Sequence, residues 1–192
     1  HPLRGHSADV AAMVEALIGK TILRKRVAKL INWEAITDTH VARLATLAAI
    51  HDTGKVNHGF QNRAYNNRKP TAGHVSPIVE ILHADNQHKE KILLPLGIAE
   101  MQNWFSDEED LIHFLLATWA HHGKPVIPQN DFKPSLWDAD QKRNPAEGIE
   151  ELGNTLKAWF PDAFNKEVEP FPGSNIFQHV YNGILTLADW LG

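Results

Sequence analysis

Apolar side chains recur every three or four residues along most of this chain, and nowhere do β-branched residues alternate with polar ones over a sustained run. That periodicity confines the chain to helices. The first predicted helix runs from Ser7 to Ile18, with Ser7 as N-cap and Val10, Val14, Leu17 and Ile18 on one face. A second covers Asp38 to Asp52, with Val41, Leu44, Ala48 and His51 inward and Gly54 set to end it in the left-handed conformation. Ser76-Pro77 reads as a cap followed by proline at the first helical position, opening a helix through Ile78, Ile81 and Leu82. Ser106-Asp107-Glu108-Glu109 reads as a capping box, with Leu111, Leu115, Thr118 and His122 in register behind it. Further helices are expected over Pro145–Phe160 and Asn175–Leu191. Segments 62–74 and 123–144 gather most of the loop residues and are the expected mobile regions. The predicted fold class is all-α, a compact single-domain helical bundle with no internal repeat.

At 192 residues, 43% apolar and 22% charged, the chain is expected to form one domain over 1–192. Nineteen basic against 23 acidic residues give a net charge of −4, which excludes a basic coat over the whole surface but leaves room for a local track. Cysteine is absent, so disulfides, thiolate zinc sites, iron–sulfur clusters and cysteine nucleophiles are excluded. The longest nearly apolar stretch, Ile92 to Ala99, is interrupted by Pro95 and Gly97. No segment reads as membrane-spanning and no signal-peptide pattern opens the chain, so a cytoplasmic location is expected. Against this ordinary background stand 12 histidines.

The strongest local signal is His51-Asp52-Thr53-Gly54-Lys55. Burying an imidazole and a carboxylate at a helix end is costly unless something satisfies them. A divalent metal does so, because imidazole supplies one nitrogen and a carboxylate can bridge two ions. A core histidine bonded to a backbone carbonyl beside a turn-capping Asp would do so too. Other helix ends carry the same chemistry: His6 before the first helix, His74 before Ser76, His121-His122 ahead of Gly123, and Asp189 one turn from the end of the last helix. Five imidazoles and two carboxylates are about what two ions need, with positions left for water and substrate. His1, His40, His58, His83, His88, His113 and His179 do not cluster, and surface or core roles are expected of them.

The ordered pattern resembles the HD superfamily of metal-dependent phosphohydrolases, and within it the CRISPR branch, the HD nuclease of the type I interference helicase–nuclease. The features that carry the likeness are His6-Ser7, His51-Asp52-Thr53-Gly54-Lys55 with Phe60-Gln61 after it, His121-His122-Gly123 and Leu187-Ala188-Asp189-Trp190. They extend over essentially the whole chain. The resemblance implies a bundle of the HD phosphohydrolase type, with His6, His51, Asp52 and Asp189 around one metal. Asp52 would bridge to a second ion held by His74, His121 and His122, and Lys55 would lie near the scissile phosphate. The family commonly has a serine a full turn after the third histidine, whereas here Ser76-Pro77 follow His74 almost directly. No Gly-x-x-x-x-Gly-Lys-Ser/Thr loop is present, so a helicase motor is expected to be a separate or missing domain, and the chain a stand-alone subunit or an excised domain.

The implied chemistry is phosphodiester hydrolysis by one or two divalent transition ions. The imidazole-rich set suits Mn²⁺, Fe²⁺, Co²⁺ or Ni²⁺ better than Mg²⁺, although Mg²⁺ is admissible. Metal coordination activates water near neutral pH, so no side-chain nucleophile is required and Asp52 and Lys55 are the catalytic candidates. Arg63, Tyr65, Arg68 and Lys69 mix charge with an aromatic face, as single-strand binders do; Arg24, Lys25, Arg26 and Lys29 form a second cluster. Either cluster would serve equally as a solvated face. The leading expectation is an endonuclease for single-stranded DNA, with RNA as a second substrate class, partnered by a CRISPR RNA-guided surveillance complex and no membrane. The alternatives are a phosphohydrolase of nucleotides or cyclic dinucleotides, and an interaction module without activity.

Overall fold

Every residue from Thr39 to Ala49 is buried, so the helix they form is enclosed on all sides and the rest of the chain is arranged around it. The computed structural model describes residues 3–19, 22–64, 69–124 and 126–192. Within them the chain runs α1 (Leu3–Gly19), α2 (Ile22–Leu30), α3 (Asp38–Ala49), a 3₁₀ turn (Thr53–Val56), α4 (His58–Gln61), α5 (Val75–Val79) and α6 (Asn86–Leu93). It continues through α7 (Ile98–Met101), α8 (Glu108–Trp119), α9 (Pro145–Trp159), α10 (Pro161–Asn165) and α11 (Asn175–Leu191). Only one isolated bridge, Phe105 to Phe171, breaks the all-helical pattern of the described residues. Helix α1 lies along α3, and α11 packs on both α1 and α8. None of the described helices is long and apolar enough to cross a membrane.

Several polar side chains inside this core are tied to backbone. The Thr37 side chain accepts from the His40 amide while the His40 ring accepts from the Thr37 amide at 3.1 Å, a reciprocal cap that starts α3. The same ring donates to the Glu169 carbonyl at 2.8 Å. Arg43, buried beneath Trp104, donates to the carbonyls of Ala163 and Lys166 and so fastens α10 to α3. Tyr181 of α11 reaches the Leu44 carbonyl at 3.3 Å.

Several boundaries differ from the sequence reading, each for a local reason. Leu3 packs against the core and extends α1 by a turn, so Ser7 is an interior, buried residue and His6 lies inside the helix. Asp107, not Ser106, caps α8, accepting from the Asp110 amide at 2.8 Å; Ser106 donates instead to the Phe171 carbonyl beside the bridge. Helix α3 stops at Ala49, and Gly54 has no left-handed backbone. Its lack of a side chain serves a close approach: a Cβ there would lie 1.9 Å from the His74 carbonyl oxygen. Helix α2 was not anticipated, because it buries only Val27 and Ala28 among basic residues.

Residues 126–144 are pinned by side chains rather than loose. The buried Glu80 carboxylate accepts from the amides of Gln129 and Asp131 at 2.6 and 2.9 Å. His58 donates to the Asp138 carbonyl at 2.7 Å, and His88 bridges the carboxylates of Asp85 and Asp138. A tight contact elsewhere offers a test of the packing. A Cβ on Gly153 of α9 would meet the Pro95 carbonyl oxygen at 1.9 Å. Gly153→Ala is therefore expected to destabilise the fold by about 1–3 kcal/mol, the usual cost of overpacking, read as a lower urea midpoint with unchanged slope.

Candidate metal centre

Six separate segments deliver their ends to one place. His6 comes from α1, His51 and Asp52 from the turn after α3, Lys55 from the 3₁₀ turn, His74 from the residue capping α5, His121 and His122 from beyond α8, and Asp189 from α11. Asp52 is wholly buried and sits at the middle. Its Oδ2 lies 3.3 Å from the Nε2 atoms of both His6 and His51, and Lys55 contacts the same oxygen. Its Oδ1 faces the other way, 3.3 Å from His74 Nε2 and 3.7 Å from His121 Nε2. Asp189 Oδ1 closes the first side at 3.0 Å from His6 and 3.4 Å from His51. His122 Nε2 closes the second at 3.1 Å from His74 Nε2.

The ligand atoms thus form two groups, His6–His51–Asp52–Asp189 and His74–His121–His122, each with its atoms within 4.8 Å of one another. Both buried histidines are oriented alike. His51 Nδ1 donates to the Ala48 carbonyl at 2.7 Å and His121 Nδ1 to the Thr118 carbonyl at 3.3 Å, so each presents a bare Nε2 to the centre. These two Nε2 atoms and both Asp52 oxygens are buried and make no well-formed hydrogen bond. An unsatisfied buried polar group costs about 1–3 kcal/mol. Four such atoms facing one another are a donor set that a divalent cation would satisfy.

Neighbouring side chains brace the rim. Gln61 donates to the Lys55 carbonyl at 2.7 Å, and the Phe60 ring meets the edge of His74 and lies 6.0 Å from the Lys55 ammonium and 5.4 Å from the Arg63 guanidinium. Sequence reasoning gave Phe60 and Gln61 no task of their own; their spacing after Lys55 was the available signal. Of the predicted basic track, Arg63 is exposed beside this rim, whereas Lys69 reaches toward the Asp140 carboxylate at 4.0 Å. Tyr65 and Arg68 lie outside the described residues. The cluster Arg24–Lys29 points elsewhere in part, since Arg24 is held by the Gly19 and Ile36 carbonyls and by Asp38.

The sequence matches the family described as "Cas3, HD domain" over residues 1–192. The chain belongs to the Cas3 HD-domain family. Solved structures agree in fold. All of this chain aligns with 21% of the T. fusca Cas3 crystal structure at 23% identity and a TM-score of 0.57. It aligns likewise with 21% of a structure described as a CRISPR-associated protein, at 18% identity and 0.61. A third, described as a CRISPR RNA-guided surveillance complex before nicking, gives 21% identity, 0.58 and 22% coverage. The chain thus spans about a fifth of the length of these relatives. No curated protein matches it at a significant level. Membership in the Cas3 HD family points to a metal-dependent nuclease of CRISPR systems.

Charge inside the HD site is strongly biased. Burial alone would lower the His51 pKa, but Asp189 and Asp52 outweigh it and push it up to about 9. Burial would raise Asp52, yet His51 and Lys55 hold it well below the usual carboxylate range. His51 likewise lowers Asp189 to about 2. His74 and His121 go the other way, lowered by burial to about 4. At pH 7 the metal-free site therefore carries a protonated His51 and neutral His74 and His121. A metal that takes His51 must displace that proton, while ligation by the other two displaces none. A metal that takes His51 at pH 7 is expected to release that residue's proton, and this contribution makes affinity rise with pH up to about pH 9. Calorimetry in buffers of different ionisation enthalpy measures this directly.

Proposed function

We propose that this domain is a divalent-metal-dependent endonuclease that cuts single-stranded DNA during CRISPR interference. The observation that carries the reading is Asp52, buried with no conventional hydrogen bond and with one oxygen turned to each group of imidazoles. His6, His51, Asp52 and Asp189 would hold one ion; His74, His121 and His122, with the other Asp52 oxygen, would hold a second. The nitrogen-rich donor set favours Mn²⁺, Fe²⁺, Co²⁺ or Ni²⁺ over Mg²⁺. When bound, such ions polarise the scissile phosphate and activate water. The chain's own residues orient that chemistry. The Ala48 and Thr118 carbonyls keep His51 and His121 in the tautomer that ligates. Lys55, one-third exposed at the rim, brings a positive charge to the non-bridging oxygens of the strand. Arg63, stacked against Phe60, holds a neighbouring phosphate. The family resemblance of the motifs implies a helicase partner and a cytoplasmic setting, and the similar structure described as an RNA-guided surveillance complex supports a partner of that kind.

Purified protein incubated with Mn²⁺ and circular single-stranded DNA is expected to linearise the circle, with a panel of nucleotides and cyclic dinucleotides left intact. Turnover of the panel but not of DNA would replace this reading with a small-molecule phosphohydrolase. Inactivity toward both would leave an interaction module. Asp52→Asn keeps the volume and removes the charge; it should lower cleavage by at least about 10²-fold, the scale of losing one preorganised charge-stabilising group, with DNA binding nearly unchanged.

The binding track calls for the opposite variant. Arg63→Ala combined with Lys69→Ala should weaken binding to single-stranded DNA and reduce its salt dependence by up to about two phosphate contacts. Cleavage of a very short oligonucleotide should be nearly unaffected. Fluorescence anisotropy across a salt series separates the two effects.

A further inference from the structure

Helix α11 carries a polar stripe at Asn182, Thr186 and Asp189, spaced so that all three face the same side. Asp189 belongs to the first group of ligand atoms. Of the other two, Thr186 reaches the backbone of His121 in the second group, and Asn182 reaches the backbone just before it. The carbonyls of Ala117, in the last turn of α8, and of Ala120 and His121 just beyond it are at a helix end, where backbone acceptors lack helical partners. Asn182 Nδ2 donates to the Ala117 carbonyl at 2.5 Å and approaches that of Ala120 at 3.4 Å. The Thr186 hydroxyl lies 2.6 Å from the His121 carbonyl and 2.9 Å from the Asn182 carbonyl of its own helix. A hydroxyl has one proton to donate, and the shorter, tertiary acceptor takes it. His121 otherwise hangs on a terminal turn followed by Gly123 in the left-handed conformation, a backbone with little stiffness of its own.

We propose that Thr186 is a positioning residue for the second metal group, fixing the backbone of His121 and, through it, the direction of His121 and His122. The proposal rests on the two-ion reading above. It makes one helix responsible for both groups: a ligand side chain from Asp189 on one side and, a single turn earlier, a hydroxyl latch on the other. The spacing between the two groups is then set by the shared Asp52 carboxylate and by α11.

The test is a binding isotherm of Mn²⁺ or Co²⁺ on the purified chain, with the visible absorption of bound Co²⁺ as a second readout. Wild type is expected to take two ions. Thr186→Val, which keeps shape and removes the hydroxyl, should weaken one of the two about 10–100-fold and leave the other unchanged, the scale of losing an outer-shell hydrogen bond. Thr186→Ser should restore both, and Thr186→Ala should match Thr186→Val if the added methyl is harmless. Two unchanged ions in Thr186→Val would overturn the latch. So would equal weakening of both together with a lower melting temperature of the metal-free protein, because that is the signature of general loosening. A wild type that takes fewer than two ions would overturn the two-group reading itself, and the latch with it.

Discussion

A single carboxylate determines how this molecule can be put together. Asp52 has no solvent and no conventional hydrogen bonds, so its charge must be met by what the surrounding helices bring to it. Two histidines and a lysine approach one oxygen and two further histidines the other. For that to happen α3 must end just before Asp52, α8 must end just before His121, and the His74 segment must come close enough to leave no room for a side chain at Gly54. Much of the geometry described here, including the early stop of α3, follows from serving that one group.

The remainder of the fold supplies rigidity around it. Helix α3 is enclosed on all sides, so its C-terminal turn inherits the stiffness of the whole core. Several buried polar side chains outside the centre serve as ties to backbone: His40 to Glu169, Arg43 to α10, Glu80 to the segment at 129–131. Histidine therefore has two separate uses in this chain. Where both ring nitrogens are tied to backbone, one accepting from an amide and the other donating to a carbonyl, as for His40, it is structural; where one nitrogen is tied and the other left bare, as for His51 and His121, it is available to a metal.

How much of this was legible in the sequence depended on whether the signal was local. The three- and four-residue spacing of Phe177, Val180, Ile184 and Leu187 was enough for α11, and Ser174 caps it as such a residue should. Helix α2 escaped because its apolar face is only Val27 and Ala28, and its basic residues read as a charged patch. Caps were misassigned by a residue where two suitable side chains stood together, as Ser106 and Asp107 do. The ligand residues were visible through their chemistry at predicted helix ends. The tasks of Asn182 and Thr186 were not, since a hydrogen bond to a carbonyl 62 to 65 residues away leaves no periodic trace in the chain.

The pair His6 and Asp189 stands 183 residues apart in sequence and 3.0 Å apart in space. Loops of that length form late, since their closure entropy must be met before the contact contributes anything. During synthesis, α1, α3 and the His74 segment can assemble while α11 is still missing, yet the first ligand group lacks a member until the final turn of that helix emerges. The first ligand group is thus completed only when α11 docks on α1. A chain interrupted before Asp189 would present His6, His51 and Asp52 without their fourth member, an open cluster on an otherwise assembled helical frame.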